Sequence, residues 1–371
     1  MPLGPRDLSL LTLPVGWDAG ELEKIRLADG TSYAEVAAIV NGALASLNAE
    51  IAGDPLWSML VSYQSDPTLE YRVGTSNGFE EHSEYSRPDS KRADLTGHML
   101  PFMAFDRRLQ WTWDYLRNAR IVQIEADIQD ALKDARDLFR KQVLRRLLKR
   151  GDDSGKAMGL GSGGYSPGFA TAAASTAVDF VPPAFGGTAF DANHEHYVGH
   201  NKSGSYDATV FADIVDELLE HGHVPPFIYL ASPSNEASII ASTGFVPVGD
   251  PTVRYGALQD IASMSPLYTS SGVKALGSMP NIEIFTVRGM PQHYGFGFKT
   301  YGANSQRNPI RIRVNGGGYQ VEAIPDPHAG NGNYPLANMM LFTEFGVGVG
   351  DRTNGTARYI NNATWADGVA S

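Results

Sequence analysis

The residues best suited to chemistry lie in Asn193-His194-Glu195-His196-Tyr197-Val198-Gly199-His200, which packs three imidazoles and a carboxylate into seven residues. Neutral imidazole is a common ligand for zinc or nickel, and His196 with His200 has the i, i+4 spacing of one helix face. His194, His196 and His200 are therefore the candidate metal ligands, and a metal-dependent enzyme is one functional class to weigh. The run is not His-Glu-x-x-His, because position 198 is Val, and Gly199 disfavours a helix there. A polar loop or interface patch accounts for the same residues. Gly159-Leu160-Gly161-Ser162-Gly163-Gly164 has the composition of a phosphate loop without its context: a charged helix precedes it, and Lys156 lies upstream. The pairs Glu80-Glu81 and Asp152-Asp153 lie in hydrophilic segments, where solvated loops are the default reading. Arg145-Arg146-Leu147-Leu148-Lys149-Arg150 could touch nucleic acid, but a helix C-terminus completing its dipole explains it equally well. No catalytic constellation stands out, no cofactor is implied, and the expectation is a protein that is not an enzyme.

Composition narrows the classes further. The chain has 371 residues, 42% of them apolar and 19% charged, enough to bury a core. Its formal charge of −11 argues against a general nucleic-acid binder. The absence of cysteine excludes disulfides, thiolate metal sites and a cysteine nucleophile, and suggests an intracellular origin. No run approaches the roughly 18 apolar residues of a membrane span, so no membrane partner is expected.

The elements that must position these residues are legible as patterns. Ser32 and Glu35 form a capping box ahead of Tyr33, Val40, Leu44, Leu47 and Ile51, and Gly53-Asp54-Pro55 ends that helix. Leu69 to Val73 looks like strand, followed from Asn77 to Asp94 by a polar, charged stretch poor in core residues: a projecting hairpin, or a disordered loop if nothing receives it. Residues 117–149 carry one apolar stripe, Ile121, Ile124, Ile128, Leu132, Ala135, Phe139, Val143 and Leu147, with acids early and bases late. A rod of roughly 50 Å is implied, which needs a sheet, a coiled-coil partner or a second subunit to cover it. Gly151 to Pro167 reads as a hinge. A helix from about Ser205 ends at Gly222, and Phe227 to Leu230 is a buried strand. A second helix spans about Asn235 to Ser242, and the remainder is mainly β.

The order of these parts resembles the major capsid protein of tailed bacteriophages, with its Hong Kong 97-type fold. Asp207 to Ser232 is similar to that family's apical-domain helix, Gly turn, Pro and buried strand ending in Ser-Pro. Leu341 to Arg352 looks like its closing segment, and Arg358-Tyr359-Ile360 like a last strand. The resemblance covers about residues 50–371 as an architecture and rests on no single diagnostic motif. It implies an α+β fold with an N-terminal arm (1–55), an extended loop (56–113) and a peripheral domain (114–204) containing the spine helix 117–149 and the Gly/Ser-rich connector. An apical domain (205–345) and a strand returning to the peripheral domain (346–371) complete it.

By the same resemblance the chain self-assembles into pentamers and hexamers of an icosahedral head around double-stranded DNA, bound without sequence specificity. Its expected location is the virion, after assembly in the host cytoplasm. The loop would lie over a neighbouring subunit, with Arg72, Glu80, Glu81, Glu84, Arg87, Lys91 and Arg92 as inter-subunit contacts. Only about 55 residues precede the loop, which implies a separate scaffold protein or none; portal and decoration proteins are further partners. Some relatives join a loop Lys to an Asn by an isopeptide bond. Lys91 with Asn361 or Asn362 would be the positions here, although no catalytic carboxylate can be placed. An encapsulin-like compartment, which has the same fold and encloses a cargo enzyme, is the nearest rival reading.

Overall fold

The computed structural model describes residues 26–73, 94–151, 153–155, 164–166, 168–169, 194–248, 272–316, 318–324 and 336–368. In chain order the elements are α1 (Tyr33–Ala52), α2 (Pro55–Leu60), β1 (Val61–Gln64), β2 (Thr68–Val73), β3 (Asp94–Met99), β4 (Met103–Thr112), α3 (Trp113–Asn118) and α4 (Ile121–Leu148). Next come β5 (Asp153–Gly155), β6 (Gly164–Ser166), β7 (Tyr197–Gly199), α5 (Ala208–Glu220), β8 (Phe227–Ala231), α6 (Glu236–Ile240) and β9 (Val246–Pro247). The chain closes with β10 (Val273–Met279), β11 (Ile282–Val287), β12 (Tyr294–Phe298), β13 (Ile310–Val314), β14 (Glu322–Ile324), β15 (Leu336–Val349) and β16 (Thr356–Tyr359). Two compact units result: residues 1–53, 103–139 and 318–345 form one, and 54–102, 140–317 and 346–371 the other.

In the first unit α1 starts where its chemistry says it should. The Ser32 side chain accepts from Glu35 N, and Glu35 in turn accepts from Ser32 N at 2.7 Å. Val36, Val40, Leu44, Leu47 and Ile51 are buried one turn apart. The α4 stripe in this unit buries Ile124, Ile128, Leu132 and Phe139. A two-pronged Arg136–Glu50 pair, with N–O distances of 2.9–3.1 Å, ties α4 to α1. The Asn48 amide holds both backbone groups of Val321, donating at 3.1 Å and accepting at 2.9 Å. β15 pairs antiparallel with β4, from Leu336↔Thr112 to Phe345↔Met103, and with β14 around Leu341↔Ala323. Phe139, Tyr319 and Phe345 stack against one another with centroids 4.6–5.9 Å apart.

The long helix is shorter than the expected span of 117–149. α3 stops at Asn118 and α4 begins at Ile121, because Ala119 is extended, with φ −77° and ψ 150°. The break gives α4 a borrowed cap: Ile121 N donates to the Asp29 carboxylate at 2.7 Å. That bond, with those from Thr31, holds Asp29 below the usual carboxylate range. At 28 residues α4 is about 42 Å long.

In the second unit seven strands run in the order β7-β16-β12-β8-β11-β10-β9. β8 lies antiparallel to β12 and parallel to β11, while β16 lies antiparallel to β12 and parallel to β7. All five residues of β8, Phe-Ile-Tyr-Leu-Ala, are buried, as an apolar run of this length with covered faces predicts. α5 packs Val210, Phe211, Ile214, Val215 and Leu218 into the same core as Phe227, Tyr229 and Ile284. Separately, β1 pairs parallel with β13 in the register Val61↔Ile310.

Several expected boundaries shift. Within 56–113, expected as one extended loop, Leu56, Trp57, Leu60 and Val61 are buried, and β4 is a ten-residue sheet strand. The described hairpin is β2 with β3, from Thr68↔Met99 to Val73↔Asp94. The two compact units do not follow the 114–204 and 205–345 boundaries; the cut in the long helix falls between Phe139 and Arg140, ahead of the Gly/Ser run. Within that run β5 pairs with β6. Thr356–Tyr359, expected to return to a peripheral domain, joins the sheet of the helix–strand–helix unit through β12. Glycines at 295 and 297 opposite β8 allow that close strand packing, since a Cβ on Gly295 would lie 1.9 Å from Tyr229 Oη.

Candidate functional site

A Schellman turn at the end of α5 places the first functional side chain. Asp207 caps the helix start, accepting from Thr209 N and Val210 N at 3.1 and 3.2 Å. At the other end Gly222 adopts φ +76°, Gly222 N donates to Leu219 O, and His223 N donates to Leu218 O. His221 is thereby held at the C-cap, one turn beyond Glu217 on the same face. Across from it, the chain enters β7 through His194-Glu195-His196. Ala357 N donates to His196 O at 2.8 Å, fixing that approach against β16.

The Nε2 atoms of His194, His196 and His221 meet within 2.7–3.1 Å of one another. His196 is fully buried, and its Nδ1 lies 2.6 Å from the Gly355 carbonyl oxygen. Burial lowers the His196 pKa to about 4, against the opposing pull of Glu217 and that carbonyl. Burial, then the proximity of His196 and His194, lowers His221 to about 2. Glu217 is also buried, with Oε1 3.9 Å from His196 Nε2. Its Oε2 accepts from Thr356 Oγ1 at 2.7 Å and pairs with the buried Arg358 guanidinium. Burial alone would raise the Glu217 pKa, but Arg358, His196 and Thr356 together bring it below the usual carboxylate value. Beside the cluster, Glu195 pairs with Arg150, and burial raises its pKa despite that partner. The arrangement is a set of three imidazole nitrogens beside one held carboxylate.

The three expected ligands are thus partly regrouped. His194 and His196 come together, but His200 turns away, with Nδ1 4.0 Å from Asp213 Oδ2. Gly199 does not sit in a helix: it is the last residue of β7, so the i, i+4 face expected for His196 and His200 does not form. His221, which replaces His200, was missed because it lies 25 residues beyond His196, at a helix end. Its signal was the Glu217–His221 spacing together with the Gly222 stop. The basic run at the end of α4 is used internally. Arg146 is fully buried and donates to the Gly151 carbonyl at 3.1 Å, and Arg150 engages Glu195. Of the expected inter-subunit contacts, Arg72 lies in β2 opposite Leu95. Glu80, Glu81, Glu84, Arg87, Lys91 and Arg92 lie outside the described residues. Asn361 and Asn362 are exposed after β16.

Comparison by sequence finds no matching family model and no matching curated protein. Comparison of structures is informative. A chain of Mycobacterium phage Patience superposes with a TM-score of 0.62 at 19% identity, over 97% of this chain and 100% of that one. The fold is the Hong Kong 97 type. It is α+β, as the order of elements implied, and the match runs nearly end to end rather than through one domain. Weaker likenesses include a chain titled as bacteriophage PhiM1 mature capsid, at a TM-score of 0.48 and 13% identity over 83% of this chain and 87% of that one. Another, from the capsid of a native GTA particle, has a TM-score of 0.47 and 13% identity, covering 85% of this chain and 91% of that one. Among the described residues no helix is long and apolar enough to cross a membrane.

Proposed function

We propose that this chain is the major capsid protein of a tailed phage, the subunit whose pentamers and hexamers close into the icosahedral head. The observation that supports this reading most is the fold match to a phage chain over 97% of this chain and 100% of the other. With a match of that extent the fold as a whole, rather than one domain of it, carries the reading. The role is structural rather than catalytic, with location in the virion after assembly in the host cytoplasm. Heterologous contacts that close into rings, and rings into a shell, are what such symmetry requires.

In this reading β2 and β3 form the base of the loop that reaches over a neighbouring subunit. Arg72, Glu80, Glu81, Glu84, Arg87, Lys91 and Arg92 find their opposite charges across that contact. Each such exposed pair is worth only about 0–1 kcal/mol, but repetition through the shell sets register and curvature. The net charge of −11 suits a wall against which double-stranded DNA is packaged without sequence specificity. Scaffold, portal and decoration proteins complete the partner set, and Lys91 with Asn361 or Asn362 is the pairing to examine for a covalent cross-link.

Negative-stain electron microscopy of the purified chain, with its size-exclusion profile, tests the proposal. Shells, or rings of five and six subunits, are expected. A uniform monomer or dimer that stays unassembled with added salt and crowding agent would overturn it. Shells that enclose a co-purifying enzyme instead of DNA would replace the phage head by an encapsulin-like compartment.

A further inference from the structure

The three imidazoles of the second unit are arranged in a way that hydrogen bonding among themselves does not satisfy. The Nε2 atoms are 3.1 Å apart for His194 and His196, 3.1 Å for His194 and His221, and 2.7 Å for His196 and His221. In a neutral ring each Nε2 either carries a proton and donates, or presents a lone pair and accepts. Three nitrogens with two roles always leave one pair alike, donor facing donor or lone pair facing lone pair. The role of His196 follows from its other nitrogen. Nδ1 lies 2.6 Å from the Gly355 carbonyl oxygen, which only accepts, so Nδ1 carries the proton and Nε2 presents its lone pair. A cation that accepts all three lone pairs removes the conflict.

We propose that His194, His196 and His221 bind one divalent transition-metal ion of the zinc class through their Nε2 atoms, as a structural clamp within the second unit. Zinc–imidazole bonds are about 2.0–2.1 Å long. An ion at that distance from all three nitrogens of this triangle sits about 1 Å out of their plane. The carbonyl of Gly355 behind His196 is the outer-shell partner that orients a ligating imidazole and fixes its tautomer. The Glu217 carboxylate, with Oε1 3.9 Å from His196 Nε2, supplies negative charge beside the site. An all-imidazole set selects zinc, nickel, cobalt or copper over magnesium and calcium, which prefer oxygen.

The placement indicates a clamp rather than a catalyst. His194 and His196 lie on the approach to β7 at one edge of the seven-stranded sheet, and His221 caps α5. The ion ties that edge strand to the helix lying on the sheet.

The test uses the full chain, stripped with chelator, incubated with zinc and desalted. One zinc per chain by elemental analysis is expected, with a melting temperature raised by zinc and unchanged by magnesium. His221→Ala and His194→Ala should each lose the metal, whereas His200→Ala should keep it. Should those variants fold poorly, X-ray absorption of the zinc-loaded wild-type chain reads the site directly, and three imidazole scatterers at about 2.0 Å are expected. Zinc that washes out of the wild-type chain, zinc retained by a folded His221→Ala, or a zinc site with fewer than three imidazoles would each overturn the proposal. None of these readings depends on whether shells form.

Discussion

Glu217 carries a charge into a place where only 9% of the residue remains exposed, and Arg358, at 1%, is the cation that holds it. Such a pair contributes little net stability over an apolar replacement, but removing one partner leaves the other charged and unsatisfied, at a cost of about 3–5 kcal/mol. Arg358→Met should therefore lower the melting temperature sharply. The double variant Arg358→Met with Glu217→Gln should recover much of that loss. A double variant as unstable as the sum of its singles would mean that the pair is not a unit. At this scale the sequence showed part of the site and hid the rest. His194 and His196 are neighbours in a conspicuous run, so their proximity needed no fold. His221 and Glu217 needed α5 to be capped correctly by Gly222, and Thr356 and Arg358 needed β16 to be laid beside β7. Nothing local in the residues around 356 announces that pairing.

Helices were legible because their information is local. The capping box of α1, the apolar stripe of α4 and the glycine stop of α5 each lie within one element. The break between α3 and α4 was not legible, since its cap comes from Asp29, 92 residues upstream. Sheet partners were hidden for the same reason: β1 pairs with β13 across about 250 residues of chain. Glycine shows how far context decides at this scale. Gly42 lies inside α1, and a Cβ there would have nothing within 4 Å, whereas a Cβ on Gly346 in β15 would meet Pro101 O at 1.5 Å. Gly42→Ala should stabilise the chain by about 0.5–1 kcal/mol through helix propensity. Gly346→Ala should destabilise it by about 1–3 kcal/mol, because backbone must move to admit the methyl group. Thermal melts of the two variants should shift in opposite directions. A neutral Gly346→Ala would show that the approach to Pro101 relaxes freely.

At the scale of the whole molecule, the proposed function separates what folds the subunit from what joins subunits. Among the described residues the buried cores lie in the helices and the large sheets, while the sequence from Asn77 to Asp94 is mostly polar and charged. Removing a segment so poor in apolar residues should leave the folding equilibrium nearly intact, since stability tracks buried apolar area. Assembly is another matter. If the segment's charges meet a neighbouring subunit, each lost pair weakens one contact slightly, and the loss recurs at every copy in the shell. A chain lacking residues 77–94, with a short Gly-Ser link from β2 to β3, should therefore melt within a few degrees of the full chain and give the same circular dichroism. It should also fail to yield stable shells by electron microscopy under conditions in which the full chain assembles. Normal shells from the deleted chain would remove the segment from the contact and leave the described sheets and helices to carry assembly alone.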